Sequence, residues 1–150
     1  MIVMGIDPGQ TTGYCCLKTT PEKHVYSLLG SGQIDWTRRL FDLYALLQGT
    51  YTAALPQPDV LVVETFRLRP GRALEQIGSE FPATHIIGIV EAFRWALTSN
   101  APLVYQEPSI MSRVEVLPEH QENLAGRPHA TAAYKHARYF PMAREIVLVP

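Results

Sequence analysis

The stretch GIDPGQTTGY, residues 5–14, breaks an apolar run with a carboxylate: Asp7 follows Ile6, Pro8 and Gly9 turn the chain, and Thr11, Thr12 and Gly13 lead back into the apolar YCCL. A charge at the end of a buried strand is expensive to desolvate unless a partner or a cation meets it. Turn residues between two apolar runs predict strand, tight turn and strand, so residues 1–7 and 12–19 are expected to pair antiparallel. A third strand over 24–34, after the turn TTPEK, completes a meander.

Beyond Trp36 the period changes. Leu40, Leu43, Tyr44, Leu47 and Tyr51 recur at helical spacing, with Asp35 or Thr37 as the N-cap. PQPDVLVVETF, residues 56–66, is a short continuous apolar run bounded by turn residues, the pattern of a parallel strand buried on both faces, and it too ends on a carboxylate, Glu64. The polar segment RLRPGRALEQIGSEFPAT, residues 67–84, reads as a long connection. Ile86, Val90, Phe93 and Leu97 mark a second helix, APLVYQ (101–106) a strand, and 108–128 a mostly irregular segment. A last helix begins near His129 and turns Ala130, Ala133, Tyr134, Ala137 and Phe140 inward. Strands followed by right-handed crossovers make an α/β domain with a mixed sheet, its fourth and fifth strands parallel to the first. With the fourth strand beside the first, Asp7 and Glu64 end side by side, where ligands of open α/β sheets collect.

The chain has 150 residues, 47% of them hydrophobic, enough for one domain over 1–150 with a full core. Its 13 basic and 14 acidic residues leave a formal charge of -1, which neither marks nor excludes a polyanionic partner. Cys15 and Cys16 are adjacent in a strand, point to opposite faces and read as reduced packing residues. Without a basic-then-apolar leader or an apolar stretch of roughly 18 residues, a cytoplasmic chain with no membrane contact is expected.

Two carboxylates about 4 Å apart repel by roughly 4 kcal/mol at a surface-like dielectric, so the pair shares a proton or holds a cation. Oxygen donors on rigid strand ends suit Mg²⁺ or Mn²⁺. Two such ions about 3.5–4 Å apart can activate water and stabilise a leaving oxygen in phosphodiester cleavage. Taken singly, Asp7 could merely cap the Pro-Gly turn and Glu64 be a surface strand end; their shared placement favours a site.

GIDPGQTTGY, VLVVETF (60–66) and HATAAYKHARYF (129–140), in this order and at these spacings, resemble the RuvC-type Holliday junction resolvases of the ribonuclease H-like superfamily. The phage-encoded branch, with its end helix H-A-x-D-A-x-x-H-A, is most similar. The resemblance covers nearly the whole chain. It implies a five-stranded sheet of order 3-2-1-4-5 flanked by helices, a homodimer in a bacterial or phage-infected cell, and metal-dependent nicking of four-way DNA in recombination and repair. By motif, Asp7 and Glu64 match the first two metal-binding acids, and His129 the first position of the end-helix pair. Ala132 stands where the pattern has Asp. Positions 129 and 132 share a helix face, so the pair should converge on the metals, two of them in a fully active form. Without a carboxylate at 132 one ion loses its anchor, while Asp7, Glu64 and His129 can hold the other. Either an inactivating Asp-to-Ala exchange or a natural form that no longer cuts fits this pattern. Glu119 and Glu122 read as solvated charges rather than substitutes.

Resolvases grip phosphates, so positive groups should flank the acids. Arg67, Arg69 and Arg72 follow Glu64, Lys135 lies in the end helix, and Arg113 falls where the resemblance implies a lysine near the scissile phosphate. Phe66 could stack at the branch point. His24, His85 and His120 read as ordinary, His136 as a packing or hydrogen-bonding residue, and Trp36 and Trp95 as core or interface anchors. Three functions stand: a junction nuclease, a branched-DNA-binding protein that does not cut, and an actin-like or sugar-kinase-like phosphate-binding domain. The chain's size, one lobe where such ATPases need two, argues against the third.

Overall fold

The computed structural model describes residues 1–20, 25–35, 47, 55–65, 81–96 and 101–147, with backbone only for 94–96 and 144–147. Five strands form one sheet: β1 (Ile2–Asp7), β2 (Thr11–Thr20), β3 (Val25–Asp35), β4 (Val60–Glu64) and β5 (Leu103–Gln106). Their order is β3-β2-β1-β4-β5, with β1–β2 and β2–β3 antiparallel and β1–β4 and β4–β5 parallel, as the crossover rule predicts. The start of β4 is tied to β1 by the backbone N–H of Ile2, which donates to Oδ2 of Asp59 at 2.6 Å.

Helices cover both faces. Helix α1 (Pro82–Ala96) lies on one, where Ile86, Val90 and Phe93 pack with Met4, Ile6, Cys16, Leu61 and Val63. On the other, Ala130, Ala133, Tyr134, Ala137 and Phe140 of the last helix pack with Val3, Cys15, Leu17, Val60 and Val62. Cys15 and Cys16 are free thiols on opposite faces, as strand alternation requires. Among the described residues no helix is long and apolar enough to cross a membrane.

Residues 108–128, expected to be mostly irregular, instead contain 3₁₀ turns at Pro108–Arg113 and Pro118–His120 and the short helix α2 (Gln121–Leu124). Both turns start on proline, whose fixed φ suits a first helical position and whose missing N–H is not needed there. Helix α3 (Pro128–Val147) also starts on proline, one residue before the expected His129. The expected helix after Trp36, apart from Leu47, lies outside the described residues, as do Thr37, Leu97 and positions 67–80 of the connection expected over 67–84; that connection ends earlier than expected, because Pro82–Thr84 already form the proline-led first turn of α1. Leu47 is described and fully buried, and Asp35 closes β3.

Helix α3 rests directly on strand backbone. A Cβ on Gly5 would sit 2.0 Å from the Ala133 carbonyl oxygen, and one on Gly13 would sit 2.0 Å from that of His129. Neither obstacle is a side chain that can rotate away, so any residue larger than glycine must lift the helix. Gly13→Ala is therefore expected to destabilise the chain by about 1–3 kcal/mol or more in urea unfolding. Gly88→Ala, with nothing within 4 Å of the added carbon, should stabilise α1 by about 0.5–1 kcal/mol. Equal effects of the two changes would show that α3 does not sit on these glycines.

Candidate active site

Strand alternation decides which face carries the acids. Val3 and Gly5 of β1 face α3, so Asp7 does too; Val60 and Val62 of β4 face α3, and so does Glu64. The parallel register pairs Ile6 with Val63, and one step on, Asp7 and Glu64 close their strands side by side, their backbones about 4.8 Å apart. The expected juxtaposition is what the sheet builds.

The same level of the sheet carries three more residues. Gly13 pairs with Asp7, Gln33 with Gly13, and Gln106 with Glu64, so Gln33, Gly13, Asp7, Glu64 and Gln106 form a row across all five strands. Helix α3 meets the row along its length. The His129 backbone N–H donates to Oε1 of Gln33 at 2.9 Å, and its ring Nδ1 lies 2.8 Å from Oδ2 of Asp7. Two turns later His136 puts Nε2 at 2.7 Å from Oε2 of Glu64 and Nδ1 at 2.9 Å from Oε1 of Gln106. Each strand-end carboxylate thus has its own histidine from one helix face.

The turn that follows Asp7 closes on itself. The Thr12 hydroxyl donates to the Gly9 carbonyl at 3.0 Å and is buried, so it serves the turn rather than a ligand. Ala132 is also buried and lines an open cavity of about 640 Å³ with Asp7, His129, Met111, Arg127 and Lys135. The Lys135 ammonium donates to the Met111 carbonyl at 3.0 Å, which places it on this cavity's wall. Arg113, Glu119 and Glu122 are exposed. Phe66, Arg67, Arg69 and Arg72 lie outside the described residues, with His24 and Trp36; of Trp95 only the backbone is described. His120 is buried against the Tyr134 hydroxyl, 3.0 Å from Nδ1, in the core beneath the 3₁₀ turns.

The sequence pattern places Asp7, Glu64, His129 and Ala132 together, and the structure brings Asp7 with Glu64, His129 with Asp7, and Ala132 into the cavity that Asp7 and His129 line. The sequence pattern did not reveal Gln33, Gln106 or Arg127, nor the partner of His136. The available signal was spacing: His136 is seven residues from His129 and so on the same helix face. Among the described residues no three His, Cys, Asp or Glu side chains form a ready metal shell. The donor chemistry nevertheless fits one hard cation. Asp7 and Glu64 each commit one oxygen to a histidine, and Mg²⁺ commonly takes one or two carboxylates and completes its shell with water and phosphate. The methyl of Ala132 offers no anchor for a second ion.

Burial pushes the Asp7 carboxyl above its ordinary value near 3.8; the hydrogen bond to His129 opposes the rise, and the charge of Glu64 adds to it. The folded chain therefore holds this proton more tightly than the unfolded chain. Stability from this group falls as pH rises from the unfolded value through the folded one. In chelator, Asp7→Asn should be more stable than the parent at pH 7, with the gain shrinking towards pH 4. Denaturant unfolding at both pH values measures it, and a gain that does not change with pH would contradict the electrostatic origin.

The sequence matches no protein-family model and no curated protein. Solved structures do match. T. thermophilus RuvC, in complex with a Holliday junction substrate, aligns at 19% identity and TM-score 0.62 over 97% of this chain and 96% of that one. The fowlpox virus Holliday junction resolvase aligns at 15% identity and TM-score 0.61 over 99% and 100%. The yeast mitochondrial Holliday junction resolvase Ydc2 aligns at 16% identity and TM-score 0.57 over 97% and 84%. A mixed five-stranded sheet of this order with helices on both faces is the ribonuclease H-like fold of these Holliday junction resolvases, and it is the fold of this chain.

Proposed function

We propose that this chain is a structure-selective DNA endonuclease of the Holliday junction resolvase type, recognising four-way DNA, and that with Ala132 in place it binds junctions without cutting them. One observation carries the reading: Asp7 and Glu64 end adjacent parallel strands on the face covered by α3, in a chain that aligns over 97% of its length with a resolvase bound to its junction. Asp7 and Glu64 would hold a divalent cation, Mg²⁺ or Mn²⁺, with His129, whose side chain is 44% exposed, able to turn from Asp7 towards it. Bound there, the cation supplies Lewis acidity towards a phosphodiester and its attacking water.

The chain's own residues do the rest. Lys135 and Arg127 line the cavity beside Asp7, which supports a role in meeting a phosphate; in this reading exposed Arg113 and the residues Phe66, Arg67, Arg69 and Arg72 also contact the DNA. A four-way junction has two-fold symmetry, so symmetrical nicking calls for two sites in a homodimer. Recombination and repair in the cytoplasm of a bacterial or phage-infected cell is the setting in this reading.

Ala132 specifically favours a second reading, a branched-DNA-binding protein whose role ends at binding. Position 132 lies three residues from His129 on the cavity wall, where a carboxylate would complete the anionic set and anchor a second ion. Ala132→Asp is expected to give Mg²⁺-dependent nicking of labelled four-way junctions, while the parent binds them uncut and at least as tightly, having one negative charge fewer. Both proteins are assayed on junctions and linear duplex. Junction binding by Ala132→Asp without nicking in Mg²⁺ or Mn²⁺ would leave only the binding reading. Equal affinity of both for junction and duplex would sink both.

A further inference from the structure

We propose that His136 is a positioning residue, its buried ring braced by Gln106 so that it holds the Glu64 carboxylate in the orientation from which Glu64 takes a divalent cation. The inference rests on the reading of Asp7 and Glu64 as cation ligands and adds to it a residue that touches neither cation nor DNA. The two histidines of α3 share a face but differ in exposure: the His129 side chain is 44% exposed and that of His136 is 0%. His129 can leave Asp7 for a ligand. His136 is held at Glu64, because its side chain is fully buried and its other ring nitrogen is bonded to Gln106.

A fully buried imidazole is a poor choice if filling space is its only duty. Leucine would occupy a similar volume without two polar nitrogens to satisfy. Both nitrogens are satisfied here, and by residues that are neighbours in the row, Glu64 on β4 and Gln106 on β5. A carboxylate only accepts, so Nε2 donates to Glu64; at Nδ1 the Gln106 amide offers Oε1 to a ring N–H or, turned over, its NH2 to a ring lone pair. The chain of contacts runs outward from buried Gln106 through His136 to Glu64, whose side chain is 17% exposed and is the one member that reaches the site. One oxygen of Glu64 is thereby committed to the protein and the rotation of its carboxylate is limited. Partners of this kind, which orient a ligand without touching the ion, typically change metal affinity or activity by about 10–100-fold when removed.

The test uses Mn²⁺ alone, titrated into the whole chain and followed by calorimetry and by the electron paramagnetic resonance of the free ion. His136→Leu keeps a similar volume and removes both ring nitrogens; His136→Gln can return a donor to Glu64. The expected result is a loss of Mn²⁺ affinity of about 10–100-fold in the leucine variant, most of it recovered in the glutamine variant, with junction binding in chelator unchanged in both. Parent-like affinity in His136→Leu, or an equal loss in both variants, would overturn the inference and leave a packing role. A parent that binds no Mn²⁺ would overturn the cation reading of Asp7 and Glu64, and this inference with it. If the leucine variant does not fold, proton NMR of the parent decides: the His136 ring N–H resonance should move in Glu64→Gln and on adding a diamagnetic divalent ion, Mg²⁺. A resonance that moves in neither case would overturn the inference.

Discussion

Helix α3 reaches the strand-end carboxylates because nothing larger than a hydrogen atom separates it from the strand backbone at Gly5 and Gly13. Everything at the site inherits that contact. The helix meets the sheet with alanines at 130, 133 and 137, so its axis stays low and its side chains at 129 and 136 reach the row of residues beneath. A larger residue at either glycine, or on the inner stripe of the helix, would lift both histidines together. The site's geometry is thus set by the absence of side chains as much as by their presence.

On that platform the electrostatics follow. Two carboxylates on neighbouring strands repel, and burial adds to the cost of charging Asp7. A histidine against each carboxylate offsets part of that cost, but the two pairs are not equivalent. The histidine on Asp7 is open to the cavity, whereas the histidine on Glu64 is fully buried and braced by Gln106. One acid therefore stands with a movable neighbour and the other with a fixed one, an asymmetry suited to a site that must hold an ion and admit a phosphate. The position between them on the helix, 132, carries only a methyl group. In the proposed reading this separates recognition from cleavage: the scaffold and the cationic wall remain, and the third acidic anchor does not.

Much of this was readable in order. Apolar runs ending on Asp7 and Glu64, separated by helical periodicity, were enough for a mixed sheet with the fourth and fifth strands parallel to the first; the order 3-2-1-4-5, and with it the meeting of the two acids, came from the resemblance to the resolvases. The end helix was readable from Ala130, Ala133, Ala137 and Phe140, and so was the oddity of Ala132. The ordered turns within 108–128 were not, since proline-led 3₁₀ turns carry no hydrophobic period. Nor were the roles of Gln33 and Gln106, two ordinary polar residues near strand ends.

Local sequence determined the elements, the placement of an acid at two strand ends and the helix face shared by positions 129 and 136, since all of these follow from periods of two and 3.6 residues along one segment. Which carboxylate each histidine meets was decided only by the tertiary structure. His136 and Glu64 are 72 residues apart, and their contact depends on the register of β1 with β4, the register of β4 with β5 and the height of α3 above the glycines. Those three quantities belong to pairs of segments and to close packing between them, and no stretch of the chain contains any of them by itself.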